Sequence, residues 1–279
     1  MKCMCGKNSF RPFCPSCTYC PRPRFVVLAA RSAFWYPVGM AHIHRFYISP
    51  GVPVGETVTL PEEEAHHALR VVRVQDDDEI ALFDGQGREI IGRARRVGKR
   101  ELEVAVASDH TIPKPAPALG VAMAWVSRDK AAEFLILHGT EIGVDRFIFF
   151  EAERSQRPPK AAQKWTRLAV EACKQCGRLW LPEFRVARDL TEALQMAVGA
   201  CYFGALRPDA PPLSAAFAGG DATIYVGPEG DLTDKEITSA LEYGAIPFSL
   251  GDTVFRSEIA AFVAATICRH RQGFLGGAR

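Results

Sequence analysis

From Leu119 to the C-terminus, short apolar strands alternate with longer amphipathic segments, and this rhythm constrains the fold more than any other feature of the chain. Leu119–Val126, Arg146–Phe150, Ala200–Leu206, Ala222–Val226 and Ile246–Leu250 read as strands. Asp129–Gly143, Lys160–Cys176, Leu190–Val198, Leu232–Tyr243 and Ser257–Arg271 read as helices, the first two closed by Gly143 and Gly177. Strands that alternate with helices predict an α/β unit, with a parallel sheet covered on both faces.

The preceding stretch has a different rhythm. Residues 41–111 hold short strands at His44–Ile48, Glu56–Leu60, Glu79–Phe83, Glu89–Ala94 and Glu101–Ala107, with a turn at Asp84-Gly85-Gln86-Gly87. A short helix opens at Pro61. Evenly spaced short strands with Gly turns predict a small β-barrel. Pro113, Pro115 and Pro117 make residues 112–118 a stiff linker, because alternating prolines sustain neither a helix nor a ladder. The chain of 279 residues is long enough for both units.

Residues 1–40 look foreign to the rest of the chain. They carry six basic side chains and no acid, while the remainder carries 28 basic and 32 acidic ones, a net of −4. The body is therefore not a generally basic RNA binder, and any nucleic acid must bind through local patches. Cys14-Pro15-Ser16-Cys17 followed by Cys20 has zinc-like spacing, but Cys3-Met4-Cys5 is no matching half-site. The expectation is a disordered tail, or sequence ahead of a true start at Met40. The longest apolar run, Phe25–Met40, is interrupted by Arg31 and Pro37, so no membrane span is expected. A cytoplasmic protein with reduced thiols is the expectation.

Two loops stand out at predicted strand ends. Ile224-Tyr225-Val226 runs into Gly227-Pro228-Glu229-Gly230, and Thr233-Asp234-Lys235-Glu236 has the spacing of a capping box. The second loop runs from Ser249-Leu250-Gly251 to Arg256-Ser257-Glu258. Both lead from a parallel strand into a helix, where open α/β sheets bind ligands. An ordinary strand–turn–helix connection explains the first loop equally well. The phosphate-cradling motifs of dinucleotide and P-loop sites are absent from the sequence.

Several segments in order resemble one family. They are His44-Arg45-Phe46, Ala65-His66-His67 with Leu69-Arg70-Val71, Thr140-Glu141-Ile142-Gly143, Arg154-Ser155, Gln175-Cys176-Gly177-Arg178, Gly227-Pro228-Glu229-Gly230 and Leu250-Gly251 through Arg256-Ser257-Glu258. Over roughly residues 42–275 the chain resembles the ribosomal RNA small subunit methyltransferase E family of the SPOUT superfamily. Members methylate uridine N3 in 16S ribosomal RNA. The resemblance implies a PUA-like RNA-binding barrel over 41–111 and a SPOUT domain over 119–275, with a deep trefoil knot at about 200–270. It also implies S-adenosyl-L-methionine as cofactor and a homodimer. Lys174, Cys176, Asp231 and Ile259 depart from the family's usual Glu, Ser, Gly and Thr.

Under this resemblance the cofactor lies against Val226, Gly227, Pro228, Glu229, Gly230, Leu250, Gly251, Val254 and Phe255, with Leu206 contributing. Methyl transfer to a ring nitrogen needs donor and acceptor aligned, and a cation to stabilise charge on the uracil carbonyls. Arg256 is the candidate cation. Glu258 either orients it or assists with the proton. The bland reading makes these two a helix N-terminal salt bridge. Arg45, His66, His67, Arg70, Arg73, Arg154 and Arg178 are the RNA candidates, Arg70 and Arg73 sharing a helix face. Adjacent histidines point in different directions, so one of His66 and His67 is structural. The competing class is an RNA-binding or ribosome-assembly protein of the same fold without turnover; a zinc module built on Cys3–Cys20 is the third reading.

Overall fold

A computed structural model describes residues 43–276, apart from 54, 99, 127–128, 156, 160–162, 206 and 208. The cysteine-rich segment of residues 1–40 and Leu206 lie outside the described residues.

The first unit is a five-stranded sheet of order β1-β3-β4-β5-β2. Its strands are β1 (His44–Tyr47), β2 (Thr57–Thr59), β3 (Glu79–Phe83), β4 (Arg88–Arg96) and β5 (Leu102–Thr111). β1 and β3 are parallel and the remaining pairs antiparallel. Alternation along these strands turns Phe46, Val58, Ile80, Leu82, Ile90, Leu102 and Val104 into one core. Helix α1 (Glu62–His66) covers it and runs into a π-helical turn, His67–Val72. That turn corrects one expectation. The helix stops at Val72, and Arg73 takes a left-handed conformation, φ 64°, so Arg70 and Arg73 do not share an α-helical face.

The second unit is a six-stranded, wholly parallel sheet of order β11-β9-β10-β6-β7-β8. It comprises β6 (Leu119–Ala124), β7 (Arg146–Phe150), β8 (Glu183–Ala187), β9 (Ala200–Gly204), β10 (Ala222–Val226) and β11 (Ile246–Phe248). The helices are α2 (Asp129–Glu141), α3 (Gln163–Cys176), α4 (Leu190–Gln195), α5 (Leu213–Ala216), α6 (Asp234–Glu242) and α7 (Ser257–Arg271). Two apolar layers sandwich the sheet. One joins Val121, Phe147, Phe149 and Ile224 to Leu135, Trp165, Ala261 and Ala264 of α2, α3 and α7. The other joins Ala122, Ile148, Phe203 and Tyr225 to Leu190, Leu194 and Ala240 of α4 and α6. A strand buried on both faces must be apolar throughout, which is why β6 and β10 read so clearly.

β8 and α5 escape the sequence reading. β8 is an edge strand, and its Glu183 and Arg185 make it look like loop. The proline-rich segment between β5 and β6 is held at both ends: Trp180 Nε1 donates to Ile112 O at 3.3 Å, and Ala118 N to Asp221 Oδ1 at 2.8 Å. Among the described residues Cys173, Cys176, Cys201 and Cys268 form no disulfide. Among the described residues no helix is long and apolar enough to cross a membrane.

Candidate functional site

A shared strand direction brings the ends of β9, β10 and β11 to one edge of the sheet. A cleft opens there, with about 670 Å³ of empty space, part of it open to solvent. Its lining includes Val226, Gly227, Pro228, Glu229, Leu250, Gly251, Val254 and Phe255. Eight of the sequence-predicted cofactor residues are thus brought together, from two separate loops. Gly230 is not among the lining; its carbonyl instead accepts from Arg154 Nη1 at 2.5 Å.

Apolar side chains alternate here with bare main chain. At Gly251, φ +107°, nothing stands within 4 Å of where a Cβ would be. Val254 is 71% exposed and Phe255 36%, an unusual exposure of large apolar groups at the mouth of a cleft. Thr253 of the second loop also lines it, and Gly204, Ala205, Asp231, Phe248, Ser249, Ser257 and Ala260 do so and were missed from sequence. Ser257 is the most informative of them. It is buried, and its hydroxyl donates to Gly227 O at 2.8 Å, tying the start of α7 to the Gly-Pro turn.

The turn is braced from outside. The predicted capping box forms: Thr233 N donates to Glu236 Oε2 at 2.8 Å, and Glu236 N to Thr233 Oγ1 at 3.3 Å. Glu236 Oε1 also accepts from Glu153 N at 3.0 Å. Together with the Arg154 bond, this fastens the loop after β7 to the cleft turn. Asp231 holds the turn's one left-handed non-glycine position, φ 60°, and its Oδ1 accepts from Leu232 N at 2.8 Å. A residue type tolerated in that region therefore replaces the expected glycine without unwinding the loop.

Arg256 is the exposed N-cap of α7, between the cleft-lining Phe255 and Ser257. Glu258 is 9% exposed in the first turn of the same helix. No ion pair joins them among the described residues, so the helix N-terminal salt bridge and the orienting role of Glu258 are not found. Glu258 points a buried Oε2 that has no hydrogen-bond partner. An orphaned buried carboxylate oxygen is costly, and such atoms mark sites completed by a ligand or by chemistry.

The RNA candidates divide. His66, Arg70, Arg73 and Arg154 are exposed. His67 is half-buried, edge-on to Phe46 with ring centroids 6.4 Å apart, so the two histidines face different surroundings. Arg45 lies 3.7 Å from Glu89, its side chain 10% exposed. Arg178 is a correction. Its guanidinium donates to Val144 O at 2.6 Å, Thr140 O at 3.2 Å and Asp145 Oδ1 at 2.7 Å, a commitment to the interior that leaves no free face for a phosphate. A glycine just before it makes the Gly-Arg motif look exposed, and only the fold reveals the buried acceptor. No group of three or more potential metal ligands occurs among the described residues.

Residues 114–269 match the family described as RNA methyltransferase domain, and residues 60–107 the RNA methyltransferase PUA domain. Ribosomal RNA small subunit methyltransferase E of Synechocystis is 28% identical over 234 residues, covering 79% of this chain and 75% of that protein. Its Bacillus subtilis counterpart is 25% identical over 237 residues, covering 79% and 93%. A probable rRNA-methyltransferase from Porphyromonas gingivalis superposes with TM-score 0.74 at 29% identity, covering 83% of this chain and 99% of the other. The Neisseria gonorrhoeae ribosomal RNA small subunit methyltransferase E, bound to S-adenosyl methionine, gives TM-score 0.73 at 27% identity, covering 82% and 98%.

Proposed function

The chain belongs to the RNA methyltransferase family, and from that premise we propose that it methylates N3 of a specific uridine in small-subunit ribosomal RNA, with S-adenosyl-L-methionine as donor. The observation that carries this is the cleft at the ends of β9, β10 and β11. Its residues fit an adenosine and a sulfonium: apolar walls at Val226, Leu250, Val254 and Phe255, with the Gly251 main chain presented without obstruction. When bound, the cofactor supplies an electrophilic methyl whose sulfur leaves as a neutral thioether.

The protein's part is alignment and charge. Uracil N3 carries a proton at neutral pH, and its loss puts negative charge on the flanking carbonyls. Arg256, at the rim, supplies the fixed cation. It sits at the positive end of the fifteen-residue helix α7, which also favours the negative charge developing on the substrate. Glu258, with one oxygen unpartnered beside Ser257, accepts the proton. Ser257 and Arg154 hold the Gly227–Gly230 turn in place. Arg70, Arg73 and His66, exposed on the small β unit, contact RNA phosphates.

The same reading includes a homodimer with the cleft near the subunit interface and a knot over about residues 200–270. Purified small ribosomal subunits incubated with labelled S-adenosyl-L-methionine test the function. Digestion should yield 3-methyluridine at one position; label on another nucleoside, or none, overturns the assignment.

A further inference from the structure

A second pocket lies between β1, the π-helical turn and α3, with about 480 Å³ of empty space, part of it open to solvent. Three separated segments bring side chains to it: Arg45 and Phe46, His67 and Val72, and Lys174 and Gln175. We propose that this pocket takes one unstacked nucleobase of the RNA substrate. The proposal rests on the methyltransferase reading for its choice of RNA.

The lining decides against a charged ligand. Lys174 Nζ is held by Glu64 at 2.7 Å and Glu171 at 3.1 Å, and Arg45 lies 3.7 Å from Glu89. Both cations already have a carboxylate partner, and Glu171 itself lines the pocket, so a phosphate entering here must displace an existing ion pair. An uncharged ring with polar edges suits the same surroundings. His67 supplies an aromatic surface whose plane is fixed by its edge-to-face contact with Phe46, at 69° between rings. Gln175 is exposed, and its side-chain amide makes no hydrogen bond among the described residues. An amide offers a donor and an acceptor side by side, the pairing that reads a base edge. Val72 adds an apolar edge. Single-stranded RNA is recognised through bases splayed out onto rings and read along their edges, and a polar, ring-bearing pocket on an RNA-binding unit has that form.

Filter binding of the full chain to in vitro-transcribed 16S ribosomal RNA tests the pocket independently of methyl transfer. Gln175→Ala and His67→Ala should each weaken binding about fivefold to tenfold, with thermal midpoints near the parent's. His67→Phe, which keeps a ring, should bind within about twofold of the parent, since stacking needs only a π-face. The losses should persist at raised salt, because no phosphate contact is removed. Binding by both alanine variants within about twofold of the parent, losses that vanish at high salt, or a parent that does not bind the RNA would each overturn the proposal. A parent and variants that behave as expected in binding while no methyl is transferred would instead sink the methyltransferase reading.

Discussion

At the scale of single residues, Asp231 shows how a substitution can preserve a backbone. Its φ of 60° is a glycine-like conformation, and its own carboxylate bonds the next amide. Asp231→Ala removes that bond and keeps the strain, so it should cost about 1–2 kcal/mol in urea unfolding, whereas Asp231→Gly should stay within about 0.5 kcal/mol of the parent. Equal midpoints for the two variants would contradict this account. Arg256 and Arg178 make the opposite lesson about arginines. Both are followed or preceded by small residues in the sequence, yet one caps a helix in solvent and the other is locked on Asp145. Removing the cation at the cleft should leave cofactor affinity unchanged while lowering kcat roughly a hundredfold, as loss of one charge-stabilising group does elsewhere. Calorimetry with S-adenosyl-L-methionine and single-turnover methylation by Arg256→Ala separate the two quantities; similar rates in variant and parent would remove Arg256 from the reaction.

At the scale of elements, the parallel strands were the most legible part of the chain. Burial on both faces forces β6, β7 and β10 to be apolar runs, and their predicted cores coincide with the strands found. The edge strand β8 lacks that pressure and stayed hidden. The cleft was legible for a related reason: loops that follow parallel strands must collect at one edge, so Gly227–Glu229 and Leu250–Phe255 could be paired before any coordinates. Ser257 was not, because its role depends on where α7 meets the Gly-Pro turn, a distance that spacing does not encode. Ser257→Ala leaves the buried Gly227 carbonyl without its donor, a loss of about 1–3 kcal/mol that should appear mainly as weaker binding of S-adenosyl-L-methionine. Unchanged calorimetric affinity would place that bond outside the site's function. The π-helical turn at His67–Val72 was equally illegible, since its residues favour an ordinary α-helix as well.

At the scale of the whole molecule, the decisive contacts are ionic and join parts distant in sequence. Lys174 on α3 reaches Glu64 on α1 at 2.7 Å, with side chains 11% and 14% exposed, and so couples the sheet of order β1-β3-β4-β5-β2 to the parallel one. A double-mutant cycle of Lys174→Ala and Glu64→Ala should give a coupling of about 1 kcal/mol or more, above what exposed pairs return. The larger knot of charge is at Arg269, 1% exposed near the end of α7. Burial pulls its guanidinium below the usual arginine range while Asp145 opposes that pull. Its Nη1 donates to Pro117 O at 2.7 Å and to Gln272 Oε1 at 2.8 Å, and its Nη2 to Asp145 Oδ2 at 2.5 Å and to Gly143 O. Phe274 lies across the group, 4.2 Å from its ring centre. One side chain thus fastens the last helix to the segment before β6 and to the turn before β7. Arg269→Met removes the charge, leaves Asp145 with Arg178 as its remaining cation and the Leu119 amide as a donor, and takes the arginine donor from two carbonyls. Breaking one side of such a buried pair costs about 3–5 kcal/mol, and here Arg178 keeps the loss near the lower figure. The expected result is a urea midpoint well below the parent's. Replacing Asp145 as well, in Arg269→Met with Asp145→Asn, should lower the midpoint further, because the mostly buried Arg178 then loses its carboxylate. A double variant as stable as Arg269→Met alone would show that the network stabilises through its hydrogen bonds to the main chain rather than through charge.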